Sequence, residues 1–191
     1  MTGDIITLYA MKVGVERTVA VKHFTDKLGI SLEKSLSAQL VETFHQALLR
    51  NKHSLNVLMA RKGLTLDTIK RWRLGLKDDR ITIPITAAAG EIVNVRLYLP
   101  DAKNSADKMR NLEGRGKTRL FPVEAFGPEH DTVYVTEGEI KMFLLRQLGF
   151  NAVTTSGGAN AWKDEFATEF TVKHVVFLYD IDDAGTRRVS R

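Results

Sequence analysis

Val133-Tyr134-Val135-Thr136-Glu137-Gly138-Glu139 is a short apolar run that stops in two carboxylates separated by a glycine. The β-branched and aromatic residues at 133–135 predict a strand, and Glu139 to Leu148 has the apolar spacing of a helix. A second run, Val175-Val176-Phe177-Leu178-Tyr179, also ends in acids, Asp180-Ile181-Asp182-Asp183-Ala184-Gly185. Between the two lie a predicted strand near Ala152-Val153-Thr154 and a predicted helix from about Ala159 to Phe170. Strands alternating with helices imply crossover connections and a parallel sheet. Functional groups in such a sheet collect outside the carboxyl ends of the strands. Glu137, Asp180 and Asp182 are therefore expected in one crevice.

Asp180 and Asp182 are two residues apart, so on extended backbone they point the same way. Like charges held that close repel, and a divalent cation relieves the repulsion. Oxygen ligation without cysteine suits Mg2+ or Mn2+. Gly138 lets the chain turn tightly beneath the site. The competing reading of the second acidic run is a helix N-cap at Asp182 or Asp183. Glu-Gly after one strand together with Asp-x-Asp after another is the more specific signal.

Upstream, the hydrophobic period is also two. Ile81-Thr82-Ile83-Pro84-Ile85 alternates, Ala89-Gly90 turns the chain, and Ile92 to Tyr98 resumes the alternation. This predicts a hairpin, with Pro84 at an edge or an early bend. From Lys108 to Arg119 five basic residues (Lys108, Arg110, Arg115, Lys117, Arg119) face Glu113 alone, and Gly114 and Gly116 interrupt any apolar period. That window reads as a flexible basic loop suited to phosphates, against the alternative of a solvated surface loop. Thr155-Ser156-Gly157-Gly158 follows a predicted strand and reads either as a backbone cradle for phosphate or as a plain turn.

The first part of the chain reads as helical. Ile5 to Met11 and Thr18 to Leu28 predict two helices, the second capped by Gly29. Ser31 is a candidate N-cap for a third, with Leu32, Leu36, Leu40, Phe44 and Leu48 along one face. Ser54 to Lys62 predicts a shorter helix stopped by Gly63, and Thr65 caps a last one whose Trp72 is expected in the core. From Arg61 to Arg80 seven Lys/Arg stand against three Asp/Glu. The organisation is a helical region at 1–77, a hairpin with basic loop at 78–130, and an α/β unit at 131–191.

The 191 residues suffice for one domain or two small ones. A net charge of +5 permits nucleic-acid binding without establishing it. With no cysteine there is no disulfide scaffold, thiolate zinc ribbon or cysteine nucleophile within these residues. No apolar run approaches the roughly 18 residues of a membrane span, and Met1-Thr2-Gly3-Asp4 is not a signal peptide, so a cytoplasmic chain is expected.

The Glu-Gly and Asp-x-Asp pattern resembles the Toprim fold, shared by bacterial DnaG-type primases, phage primase-helicases, topoisomerases and some nucleases. Other segments narrow the choice. Arg61 to Gly75 resembles the helical stretch that opens the primase polymerase domain. Arg80-Ile81-Thr82-Ile83-Pro84-Ile85 and Gly90-Glu91-Ile92-Val93 are similar to the primase hairpin. Lys108 and Arg119-Leu120-Phe121 fall where that family has its basic residue and its leucine-aromatic step. Gly3 to Leu8 resembles the segment that leaves a primase zinc ribbon. The order of these parts excludes topoisomerases better than any one motif does.

The resemblance implies a mixed α+β or α/β chain: a helical N-terminal subdomain and hairpin, then a Toprim-like parallel sheet. It implies RNA primer synthesis from ribonucleoside triphosphates on a single-stranded DNA template, with a replicative helicase as partner in cis or in trans. Asp180 and Asp182 would hold Mg2+ or Mn2+. Glu137 would be a metal-proximal carboxylate or the general base, and Glu139 a supporting carboxylate. Arg96, Lys108, Arg110, Arg115, Lys117 and Arg119 would line the path of template and nucleotide, with Lys141 close by. The sequence departs from the family in three respects. The zinc ribbon is absent, Lys141 stands where many primases have an aspartate, and Arg191 follows Asp182 by nine residues, where Toprim folds add a helix and a strand. A Toprim nuclease and a non-catalytic module that binds single-stranded DNA or a helicase are the alternative readings.

Overall fold

The computed structural model describes residues 4–28, 35–87, 89–127, 129–157, 161–171 and 173–179. Asp4 opens α1 (Ile5–Val13) by accepting from the Thr7 amide, and Gly14, at φ 72°, closes it. An ion pair between Asp4 and Arg17 ties this cap to α2 (Arg17–Leu28), and the guanidinium holds the Asp4 carboxyl far below the usual carboxylate range. Gly29, Ser31 and Leu32 lie outside the described residues. The third helix, α3 (Ala38–Arg50), has Ser37 as its N-cap, and Leu36 precedes it, donating its amide to Ile92 O at 2.6 Å. Its fully buried stripe is Val41, His45 and Leu48, offset from the expected leucine line. The offset has a polar cause. His45 Nδ1 lies 2.6 Å from Leu74 O, which can only accept, so the ring turns inward with its proton on that nitrogen.

The next helix begins earlier than its sequence suggests. It starts as α4 (Lys52–Asn56), widens into a π-turn at Val57–Arg61, and ends before Gly63 at φ 74°. Thr65 caps α5 (Leu66–Arg71) as expected, and Trp72 packs against Phe121 and Phe143 at 5.7 and 5.1 Å between ring centroids.

Four antiparallel strands follow in the order β1 (Gly75–Lys77), β2 (Arg80–Thr86), β3 (Ile92–Tyr98) and β4 (Met109–Asn111). The hairpin turns through Gly90, at φ 87°. Pro84 lies in the body of β2, but β1 reaches only to Thr82, so at Pro84 the strand is paired with β3 alone among the described residues. The window expected to be a flexible loop is partly ordered. A short α6 (Ser105–Lys108) leads directly into β4, whose three-residue length leaves no period to read.

The second sheet has the order β5 (Leu120–Phe121), β7 (Ala152–Thr155), β6 (Thr132–Thr136), β8 (His174–Leu178). β6 is parallel to β7 and β8, with α7 (Glu139–Gln147) as the first crossover; β5 adds antiparallel to β7. Thus a strand from within 78–130 completes the sheet of the last segment. Before β8 the described chain has 3₁₀ geometry at Asp164–Phe170 rather than the expected α-helix. Trp162, Phe166 and Phe170 still reach one face of the sheet, against Val133, Val135 and Val153. Tyr134 and Ala152, one residue out of phase, face the other core with Met142 and Phe143.

That larger core joins the halves: Ile81, Ile83 and Ile85 of β2 meet α5 residues and α7 in one cluster. On the opposite side β1 lies on α3 at Gly75, where an added Cβ would stand 2.5 Å from Thr82 Oγ1 and 2.6 Å from the Phe44 carbonyl carbon. Backbone cannot yield as a side chain does, so Gly75→Ala should destabilise the fold by about 1–3 kcal/mol. Chemical denaturation measures this, and an unchanged midpoint would show that β1 can shift on α3 without cost.

Candidate functional site

Arg96 is a charged residue set beside an apolar row, the isoleucines of β2. Its register partner on β2 is Ile83, and its neighbours on the same face are Asn94 and Tyr98, opposite Ile85 and Ile81. Its side chain is 7% exposed and that of Glu139 is 2% exposed, with Nε 3.0 Å from Oε1. Arg96 Nη1 donates to Asn111 Oδ1 of β4, which also accepts from Asn94 Nδ2. The ion pair spans the seam between the first sheet and the first turn of α7.

Glu137 and Gly138 lead into this turn from β6. β6 ends at Thr136, and Gly138 enters α7 from extended backbone. Glu137 accepts from Lys141 Nζ at 3.1 Å, one helical turn on. A cavity of about 430 Å³ opens over this turn, within the size range of small-molecule sites. Arg61, Lys62, Arg96, Lys108 and Lys141 supply its cations, Glu137 and Glu139 its carboxylates, and Tyr98, Met109, Ile140 and Leu144 its apolar wall. Arg61 also grips Asp101 through both guanidinium ends, which holds the Asp101 carboxyl below the usual range.

The structure thus gathers five of the sequence-expected residues, Arg96, Lys108, Glu137, Glu139 and Lys141, at one cavity. Arg115, Lys117 and Arg119 border a second one, about 370 Å³, with Asn94 and Gly116. There Arg115 donates to Val93 O, the Ser156 amide donates to Arg119 O, and the Arg119 amide donates to the Ser156 hydroxyl, which ties the loop to the end of β7. Arg110 belongs to neither cavity; strand alternation turns it away from Met109 and Asn111, and it pairs with Asp107. Asp180 and Asp182 lie outside the described residues.

Among the described residues no three His, Asp or Glu side chains come together as metal ligands. Glu139 is committed to Arg96 and Glu137 to Lys141, so this part of the site presents paired carboxylates within a cationic rim. Arg61 and Lys62 were legible only as part of the basic 61–80 window. Nothing in spacing pointed to Asn111, whose role depends on the pairing of β4 with β3.

No protein-family model matches the sequence, and no curated protein does. Solved structures do. The zinc-binding and RNA polymerase domains of the Aquifex aeolicus primase superpose with a TM-score of 0.63 at 18% identity, covering 97% of this chain and 59% of that one. A DNA primase domain from Pseudomonas aeruginosa gives 0.63 at 20% identity, covering 80% and 63%. A DnaG primase catalytic domain bound to single-stranded DNA gives 0.58 at 18% identity, covering 80% and 62%. The chain therefore has the fold of DnaG-type primase catalytic cores. It spans about three fifths of the length of these primase chains.

Removing one partner of a buried ion pair strands the other. Arg96→Met should destabilise the fold by about 3–5 kcal/mol, and Arg96→Met with Glu139→Met should recover most of that loss. Urea unfolding checks both, and equal stability of the two variants would show that the pair is not buried in solution.

Proposed function

We propose that this chain is the core of a DNA primase, which synthesises RNA primers from ribonucleoside triphosphates on single-stranded DNA in the cytoplasm. One observation carries the reading: within a primase-core fold, the cavity over the β6–α7 turn gathers Glu137 and Glu139 with Arg96, Lys108 and Lys141. The units at 1–77, 78–130 and 131–191 would then be a helical region, the hairpin part of the N-terminal subdomain and a Toprim-like domain.

Lys108 and Arg96 suit a triphosphate at this cavity, and Arg115, Lys117 and Arg119 suit the backbone of the template beside it. A divalent Mg2+ or Mn2+ ion, with Asp180 and Asp182 as its ligands and Glu137 near it, would neutralise charge on the transferring phosphoryl group. Glu137 alone does not make a metal site, because Lys141 already balances its charge. That pairing also favours a second reading, a non-catalytic module that binds single-stranded DNA or a helicase. A replicative helicase is the partner that either reading would engage.

Template-dependent ribonucleotide incorporation with Mn2+, run beside a nuclease assay on the same DNA, separates the readings. Primer synthesis should occur and should be lost in Asp182→Asn; incorporation unaffected by that change would remove the metal assignment. Incorporation absent from the unaltered chain, with DNA binding retained, would favour the non-catalytic module.

DNA binding divides the basic residues. Lys108→Glu and Lys117→Glu should each weaken single-stranded DNA binding and flatten the slope of log affinity against log salt by about 0.7 for each phosphate no longer neutralised. Arg110→Glu should leave that slope unchanged. Equal weakening by all three in a salt titration would place Arg110 on the DNA path and overturn the division.

A further inference from the structure

Arg96 lines the cavity, and its guanidinium group is anchored through two of its three nitrogens. Nε donates to Glu139 and Nη1 to Asn111, and Nη2 donates to no group among the described residues. A guanidinium fixed through two nitrogens loses little freedom when the third meets an oxyanion. The rest of the rim has the matching sign, with Lys62 and Lys108 beside it and both nearby carboxylates already paired.

We propose that Glu139 is a positioning residue rather than a metal ligand: it holds Arg96 across the sheet–α7 seam so that Nη2 meets a phosphoryl oxygen of a nucleotide in the cavity. This rests on the nucleotide reading of the site given above. Glu139 acts from the opposite side of the seam, so it also couples anion binding to the docking of α7 on the sheet. Asn111 steadies the same guanidinium from β4, with its own oxygen shared by Asn94. Three elements therefore converge on one donor.

The test uses inorganic tripolyphosphate and ATP as probes, titrated calorimetrically into the full chain in EDTA, with thermal unfolding run on every variant. The unaltered chain should bind both. Glu139→Ala should weaken binding by about tenfold or more, since a charged hydrogen-bond partner is removed. Glu139→Gln, whose amide oxygen can still accept from Nε, should stay within about threefold of the unaltered chain. Adding Arg96→Met to Glu139→Ala should cost little further affinity, because both changes disable one donor.

If Glu139→Ala does not fold, the apolar pair Arg96→Met with Glu139→Met takes its place and should show the same weakening with its fold kept. Unchanged or tighter binding in a folded Glu139→Ala, or in the apolar pair, overturns the proposal. So does absence of tripolyphosphate binding by the unaltered chain. Glu139 as a metal ligand predicts the reverse pattern: anion binding in EDTA indifferent to every Glu139 change, and Mn2+ binding abolished in Glu139→Gln. Glu139-dependent anion binding without primer synthesis would reject the primase reading alone. Primer synthesis with a KM for ATP indifferent to Glu139→Ala would reject this proposal alone.

Discussion

The buried ion pair between Arg96 and Glu139 is the constraint around which this site is arranged. A charge buried beside the isoleucine row of β2 is tolerable only if a partner reaches it, and that partner comes from the first turn of α7. Coulombic attraction at a 3.0 Å separation, in a place with little water, penalises any displacement of one half against the other. Asn111 adds a directional bond from β4, so the guanidinium plane is fixed as well as its position. The apolar packing of Ile81, Ile83 and Ile85 against Met142 and Phe143 is less selective. It would permit small slides that the ion pair forbids.

That arrangement explains why the cavity is lined by five cations while both of its carboxylates are paired. Glu137 and Glu139 stand two residues apart at the entrance to α7, yet they do not share one ion among the described residues. Each is drawn to a different cation, Glu139 across the seam and Glu137 along its own helix. Lys62, Lys108 and Arg61, itself paired with Asp101, also line the cavity. Arg96 and Arg61 are already held in place there, and for an anion in the cavity such fixed donors would lower the entropic cost of binding.

Much of the architecture was legible from pattern. The alternation at 81–85 and 92–98 set the hairpin, and the Val133–Glu139 run set the strand-to-helix step that carries the site. The cap at Thr65 and the core place of Trp72 followed from local chemistry and bulk. Strands β1, β4 and β5 were not legible, because two or three residues contain no measurable period. The crossover before β8 kept its aromatic spacing but took 3₁₀ geometry in the described segment, since the packing of Trp162, Phe166 and Phe170 constrains side chains more than backbone type.

The site divides in the same way. Sequence alone determined which residue types gather at the end of β6, because a parallel strand delivers its last residues to the carboxyl edge whatever else the chain does. It also marked the basic window, since charge is a property of composition. Only tertiary structure decided how those charges pair and which cavity each borders. Glu139 reads as an open carboxylate until Arg96, 43 residues earlier in the chain, is seen to reach it. Arg110 reads as one of a cationic series until β4 pairs with β3 and turns it the other way. Burial and pairing depend on distant segments meeting in space, and no local spacing encodes them.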